Sequence, residues 1–276
     1  MKIGFVGTGL MGKPMIEKLI ENNFMVNVYN RTIEKAKLLK VKNDQIKNSM
    51  NELVVDSAII IFMVTDYVAL NELVNSCEKS WDKKIVIQMS TISPNENITL
   101  SKYFIDKNAS YFEAPVLGSI TQVRNKELIT LVGANESSLD EIKEILECFS
   151  KKIIHVGKVG KASALKLALN QLIVSELSIF SMSLKYVLAN EINVDVFMDV
   201  LRNSALYAQT FDKKLPNFLK NDFSNPNFPL KHMLKDLKLI TEDFQRAGIN
   251  SEILKEEEKL LHEGLKKGFA EEDYSA

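Results

Sequence analysis

Cysteine is scarce in this chain of 276 residues: Cys77 and Cys148 stand far apart, with no CxxC spacing and no histidine beside them. That excludes a disulfide framework and a thiolate zinc site, and both are expected to be small buried apolar residues. The three histidines, His155, His232 and His262, share no spacing that suggests a metal centre, so no metal is expected. Charge of one sign is lacking too. A formal net charge of −1 gives no field that would draw in nucleic acid or an anionic membrane. The start of the chain has no signal-peptide layout before an apolar strand pattern begins at Ile3, and the one long apolar stretch carries Lys166, Asn170 and Glu176, which argues against a membrane span. A soluble, cytoplasmic protein is expected. There is no internal repeat and no low-complexity tract, and residues 221–229, with two prolines and three asparagines, read as a loop rather than a linker.

What is present begins at the first residues. An apolar run, residues 2–6, leads directly into Gly7-Thr8-Gly9-Leu10-Met11-Gly12 and then into a helical pattern to about Glu21. Strand, glycine turn and helix in that order form a dinucleotide fingerprint. Gly7 permits the tight turn, Gly9 lets the backbone approach a pyrophosphate, and Gly12 allows the helix to pack closely on the strand, with the helix N-terminal amides of the Gly7 to Gly12 turn facing the anion. A second strand, residues 25–29, ends in Asn30-Arg31-Thr32, and here the acid that would hold the ribose hydroxyls of NAD is missing. Arg31 can stack on adenine and pair with a 2′-phosphate, with Asn30 and Thr32 hydrogen-bonding it. NADP is therefore expected over NAD.

Strands and helices go on alternating, with a short strand expected near Ile46, a helix over residues 50–55 and a strongly apolar run over 58–64. Met63 and Val64 fall at the carboxyl end of that run, where ligands bind in doubly wound sheets. A strand over 85–89 ends in Ser90-Thr91-Ile92-Ser93-Pro94, whose hydroxyls can serve a ligand or cap the next helix. Two further strands, 111–116 and 128–133, flank an irregular connection over 117–127, and a helix over 138–149 and a strand over 153–156 follow. Beyond Gly160 only helical patterns remain. The expected fold is α/β, a Rossmann-type doubly wound sheet in residues 1–158 followed by an all-helical domain in residues 159–276.

The helical part opens on the longest element, about thirty residues or roughly 45 Å of helix, apolar nearly all round and so expected to be buried. Lys166 and Asn170 sit on it at i and i+4, a cation and an amide on one face. They form a catalytic pair, or else the lysine snorkels to solvent and the asparagine caps a neighbour. The helix exceeds what one small domain can cover. A homodimer or homotetramer built through the helical halves is expected.

Five segments together resemble the β-hydroxyacid dehydrogenase family, in particular its 3-hydroxyisobutyrate dehydrogenase and glyoxylate or succinic semialdehyde reductase branches. They are residues 7–15, 89–94, Glu113-Ala-Pro-Val116 with Gly118, residues 157–160 with Lys166 and Asn170, and residues 228–236, with Asp273-Tyr-Ser-Ala276 resembling the family's closing motif. The resemblance implies that Lys166 is the catalytic acid/base and that Asn170 orients a small aldehyde or hydroxy-acid substrate. It further implies that Ser90 and Thr91 lie near nicotinamide and substrate, that the backbone around Met63 touches the cofactor, and that Lys235 reaches cofactor or substrate. The family's Ser-Gly-Gly or Ser-Gly-Ser loop grips a substrate carboxylate; here it reads Leu117-Gly118-Ser119, so the grip would fall to Gly118 and Ser119. Gln122, Asn125 and Lys126 depart from the pattern further along, and Lys18 replaces a frequent asparagine. The other readings are an imine reductase of the same superfamily, with an apolar pocket around Leu117, and a non-catalytic NADP-binding regulatory protein.

Overall fold

The computed structural model describes residues 1–276. Near its N-terminus the apolar runs form strands with helices between them: β1 (Lys2–Val6), α1 (Gly12–Glu21), β2 (Met25–Tyr29), α2 (Ile33–Lys37), α3 (Met50–Val55), β3 (Ile59–Phe62), α4 (Tyr67–Asn75), β4 (Ile85–Gln88), α5 (Pro94–Ile105) and β5 (Ser110–Glu113). All five strands are parallel, in the order β2-β1-β3-β4-β5. Both faces of this sheet are covered, so the strands read as continuous apolar runs rather than alternating ones. β3 shows it best: Ile59 and Ile61 pack into one core beside Ile3 and Phe5, Ile60 and Phe62 into the other beside Val6 and Trp81.

After β5 the sheet changes direction. β6 (Val116–Leu117), α6 (Ile120–Arg124), β7 (Leu128–Gly133), α7 (Lys143–Glu147) and β8 (Ser150–Gly157) follow, with β7 antiparallel to β5 and β6 and parallel to β8. Three details differ from the sequence reading. Ile46 makes only an isolated bridge to Val28. The expected helix over 138–149 is a 3-10 turn, Glu136–Glu141, followed by the short α7. The expected irregular connection holds α6, which starts where Ser119 and Gln122 satisfy each other.

The remaining elements are helices: α8 (Lys161–Ala189), α9 (Val194–Arg202), α10 (Gln209–Lys220), α11 (Leu230–Arg246) and α12 (Glu252–Lys266). The chain divides into two compact units, residues 1–166 and 167–276. In the second unit, Leu167 and Val174 pack with Met233, Leu237, Ile240 and Leu254, and farther along α8 a stack of Phe180 on Phe211, with ring centroids 4.6 Å apart, anchors a second cluster. Residues 273–275 tie into this unit by polar contacts. Asp273, almost wholly buried, takes the Lys214 ammonium at 2.5 Å and the Ser275 hydroxyl at 2.6 Å, while burial pushes the Tyr274 phenol up to about 12. Cys77 and Cys148 are free and buried, and burial raises both thiols.

Burial of α8 falls short of the sequence expectation. By length and apolarity alone it would suffice to cross a membrane, and much of its apolar surface stays uncovered within one chain. Leu172, Ile179 and Tyr186 recur every seven residues and are 49%, 65% and 71% exposed, with Met182 beside them.

Candidate active site

The carboxyl ends of the parallel strands gather most of the residues singled out in the first unit. Gly7 follows β1 with φ of +101°, and a Cβ there would come within 2.2 Å of the Met63 carbonyl oxygen at the end of β3. A Cβ on Gly12 would come within 2.0 Å of the Gly7 carbonyl oxygen. These two glycines are required because backbone passes where a side chain would be. Gly9 is different: a Cβ there meets nothing within 4 Å, so it faces open space. Leu10 is exposed, Met11 half-buried, and α1 starts with no side-chain cap and no acidic residue in its first turn. Thr8 has a buried hydroxyl without a hydrogen-bond partner. A cradle with room at Gly9, an uncapped helix start and an orphaned hydroxyl fits a dinucleotide pyrophosphate.

Asn30 ties the neighbouring turn to this loop. Its side-chain oxygen accepts from the Thr8 amide at 3.0 Å and its amide donates to the Thr32 carbonyl at 2.8 Å. Arg31 and Thr32 are left on the surface, and Thr32 precedes α2 without using its hydroxyl as a cap. No carboxylate stands among residues 30–32.

At the next strand ends, the Val64 amide donates to the Ser90 hydroxyl at 2.8 Å, and the Ser90 amide donates to the Gln88 side chain. Ser90 is buried and joins β3 to β4; Thr91, half-buried, follows it at the same edge. Capping of α5 belongs to Ser93, which exchanges hydrogen bonds with Glu96. The loop over 117–119 lies before α6, and α6 packs on α1. Gly118 takes a φ of +121° and has its Cβ position filled by Leu128 and Gln122. Both Ser119 donors, the amide at 2.9 Å and the hydroxyl at 2.7 Å, go to the Gln122 side-chain oxygen. Leu117 contributes no polar group.

On α8, Lys166 and Asn170 are one turn apart and both are buried. The Asn170 amide donates to Asp236 at 2.9 Å, and the Lys235 ammonium lies 2.6 Å from the other Asp236 oxygen. Asp236 therefore joins the two residues, itself nearly wholly buried in α11. The adjacency of Lys235 and Asp236 in sequence foreshadows their contact, whereas nothing in the sequence announces the one between Asn170 and Asp236, across 66 residues. His232, one turn before, stacks on Phe228, and burial lowers its pKa, reinforced by the charges of Lys231 and Lys235.

The chain is similar to known proteins along its whole length. Residues 2–157 match the profile of the NAD binding domain of 6-phosphogluconate dehydrogenase, and residues 160–276 match that of the NAD-binding domain of NADP-dependent 3-hydroxyisobutyrate dehydrogenase. These two matches make the chain an NAD(P)-dependent dehydrogenase or reductase. Within that class the chain belongs to the 3-hydroxyisobutyrate dehydrogenase family. Glyoxylate/succinic semialdehyde reductase 1 of Arabidopsis thaliana is 26% identical over 280 residues, covering 100% of this chain and 96% of the relative. The 3-hydroxyisobutyrate dehydrogenase of Mycobacterium tuberculosis, solved with L-serine, shares the fold with a TM-score of 0.84 at 21% identity, over 100% of this chain and 97% of the other. An imine reductase from Myxococcus stipitatus, a V8 variant in complex with NAD+, shares it with a TM-score of 0.70 at 17% identity, over 99% and 96%.

Proposed function

We propose that this protein is an NADP-dependent oxidoreductase that transfers a hydride between nicotinamide and a small aldehyde or 3-hydroxy acid, with Lys166 as general acid/base. The observation that carries the reading is on α8, where a buried lysine stands one turn from an asparagine whose amide is fixed by a buried carboxylate. When bound, the reduced nicotinamide supplies the hydride to the carbonyl carbon. Lys166 stabilises the negative charge that builds on the carbonyl oxygen, then gives that oxygen a proton; in the reverse direction it removes the hydroxyl proton. Asn170 orients the same oxygen. Asp236 holds Asn170 in one rotamer and keeps Lys235 beside it, so neither must be ordered when substrate arrives.

NADP is favoured by the same absence that marks the sequence. No carboxylate at residues 30–32 opposes a 2′-phosphate, and surface Arg31 can pair with it. Arg31→Ala is expected to raise the KM for NADPH about 10-fold to 100-fold and to leave that for NADH unchanged, read from initial rates with each cofactor. Equal effects on both would remove the NADP assignment.

A second reading has its own observation. Leu117 is apolar and the Ser119 donors are engaged by Gln122, which suits a neutral carbonyl or imine better than a carboxylate. Initial rates of NADPH consumption with glyoxylate, succinic semialdehyde, methylmalonate semialdehyde and a cyclic imine separate the two. Turnover of the acids supports the first reading, and turnover of the imine alone supports the second.

The uncovered stripe on α8 fits a second copy of the chain. Its seven-residue spacing suits pairing with a like helix, and Val196 and Val200 on α9 are exposed as well. Light scattering at micromolar concentration is expected to give twice or four times the 31.2 kDa of one chain, and Ile179→Asp to lower that mass. A wild-type mass of one chain would sink the proposal.

A further inference from the structure

Glu113 ends β5 completely buried, and the chemistry above leaves it without a task. Its carboxylate accepts from the Gly160 amide at 2.6 Å and from the Ser163 amide at 2.5 Å, the start of α8. On its other side it presses on Gly133 of β7, where an added Cβ would come within 2.2 Å of the Glu113 Oε2 atom. Helix starts are ordinarily capped by a local Ser, Thr, Asp or Asn. Here a carboxylate 47 and 50 residues away in sequence is buried for the purpose, although burial raises its pKa against the pull of the amides it accepts from.

The geometry of α8 shows what that arrangement controls. Lys166 follows Ser163 by three residues, a rise of about 4.5 Å, and helical side chains tilt toward the N-terminus. The Lys166 side chain therefore leans back over the turn that Glu113 holds. Two charge-assisted hydrogen bonds, supported by the helix dipole, fix that turn to the carboxyl end of β5, beside the strand ends that form the cofactor edge. We propose that Glu113 is the positioning residue that aims Lys166, setting the first turn of α8 against the sheet. The proposal rests on Lys166 being the acid/base.

Glu113→Gln keeps the shape but turns an amide NH2 toward one of the two backbone donors. Gly133→Ala leaves Glu113 intact and displaces its carboxylate, an independent route should the first variant fold poorly in a thermal melt. Both are expected to lower kcat about 10-fold to 100-fold, the cost of a misplacement near 1 Å, with the Kd for NADPH, read by fluorescence, within about 2-fold of wild type. In a Lys166→Ala background, where residual product is followed over hours, adding Glu113→Gln is expected to change the rate by less than about 2-fold, since the residue it acts through is gone. An unchanged kcat in both single variants, or the same loss with and without Lys166, would overturn the proposal. If Lys166→Ala itself retains the wild-type rate, the acid/base reading has failed and the inference with it; if Lys166→Ala collapses while the Glu113 and Gly133 variants do not, only the inference falls.

Discussion

Lys166→Ala is expected to lower kcat for carbonyl reduction by about 10²-fold to 10⁴-fold, the usual range for a lost general acid, while NADPH binds as before. The lysine is buried on the second turn of α8, whose start is held by Glu113, so its loss removes a group already placed before substrate arrives. An alkoxide forming there would have neither a cation nor a proton donor. Steady-state rates beside a fluorescence titration with NADPH give the check. A fall in kcat with unchanged affinity matches the account; a parallel loss of both would place Lys166 in cofactor binding instead.

Gly12→Ala is expected to cost at least about 100-fold in NADPH affinity and roughly 1–3 kcal/mol of stability, the scale of overpacking a close backbone approach. Its Cβ would meet the Gly7 carbonyl oxygen at 2.0 Å, and a backbone atom cannot swing aside as a long side chain can. The turn and the start of α1 must then separate. Gly9→Ala is the informative comparison, because its Cβ meets no protein atom within 4 Å. Its melting temperature is expected to match wild type, while its affinity for NADPH falls because the added methyl stands where the pyrophosphate approaches. Calorimetric titration with a thermal melt of each variant separates the two effects.

Much of this was legible because the signals were local. Residues 2–12 carry a buried strand, a turn only glycine can make and an amphipathic helix start in immediate succession, and the structure forms each where the pattern puts it. Continuous apolar runs such as Ile59–Phe62 betray a parallel sheet covered on both faces. Contacts between distant residues left little trace. Asn170 and Asp236 are 66 residues apart, and Glu113 reaches amides 47 and 50 residues on, with nothing in the intervening chain to announce either bond. Local capping chemistry also misled: α6 was hidden in a stretch without apolar periodicity, and at its start the Gln122 side-chain oxygen accepts from both the amide and the hydroxyl of Ser119. The apolar girth of α8 was read as burial, yet Ile179, Met182 and Tyr186 lie open on the chain, because composition does not tell which apolar residues of a helix the chain's own core covers.

In the function proposed above, a hydride passes from NADPH to a carbonyl carbon while Lys166 supplies the proton. Deuterium at the transferring position of NADPH, followed into product by mass spectrometry with succinic semialdehyde as substrate, tests it most directly. One deuterium is expected on the carbinol carbon with the wild type, and a far slower appearance of the same product with Lys166→Ala. Product without deuterium, or no product from any carbonyl substrate while NADPH binds, would contradict it.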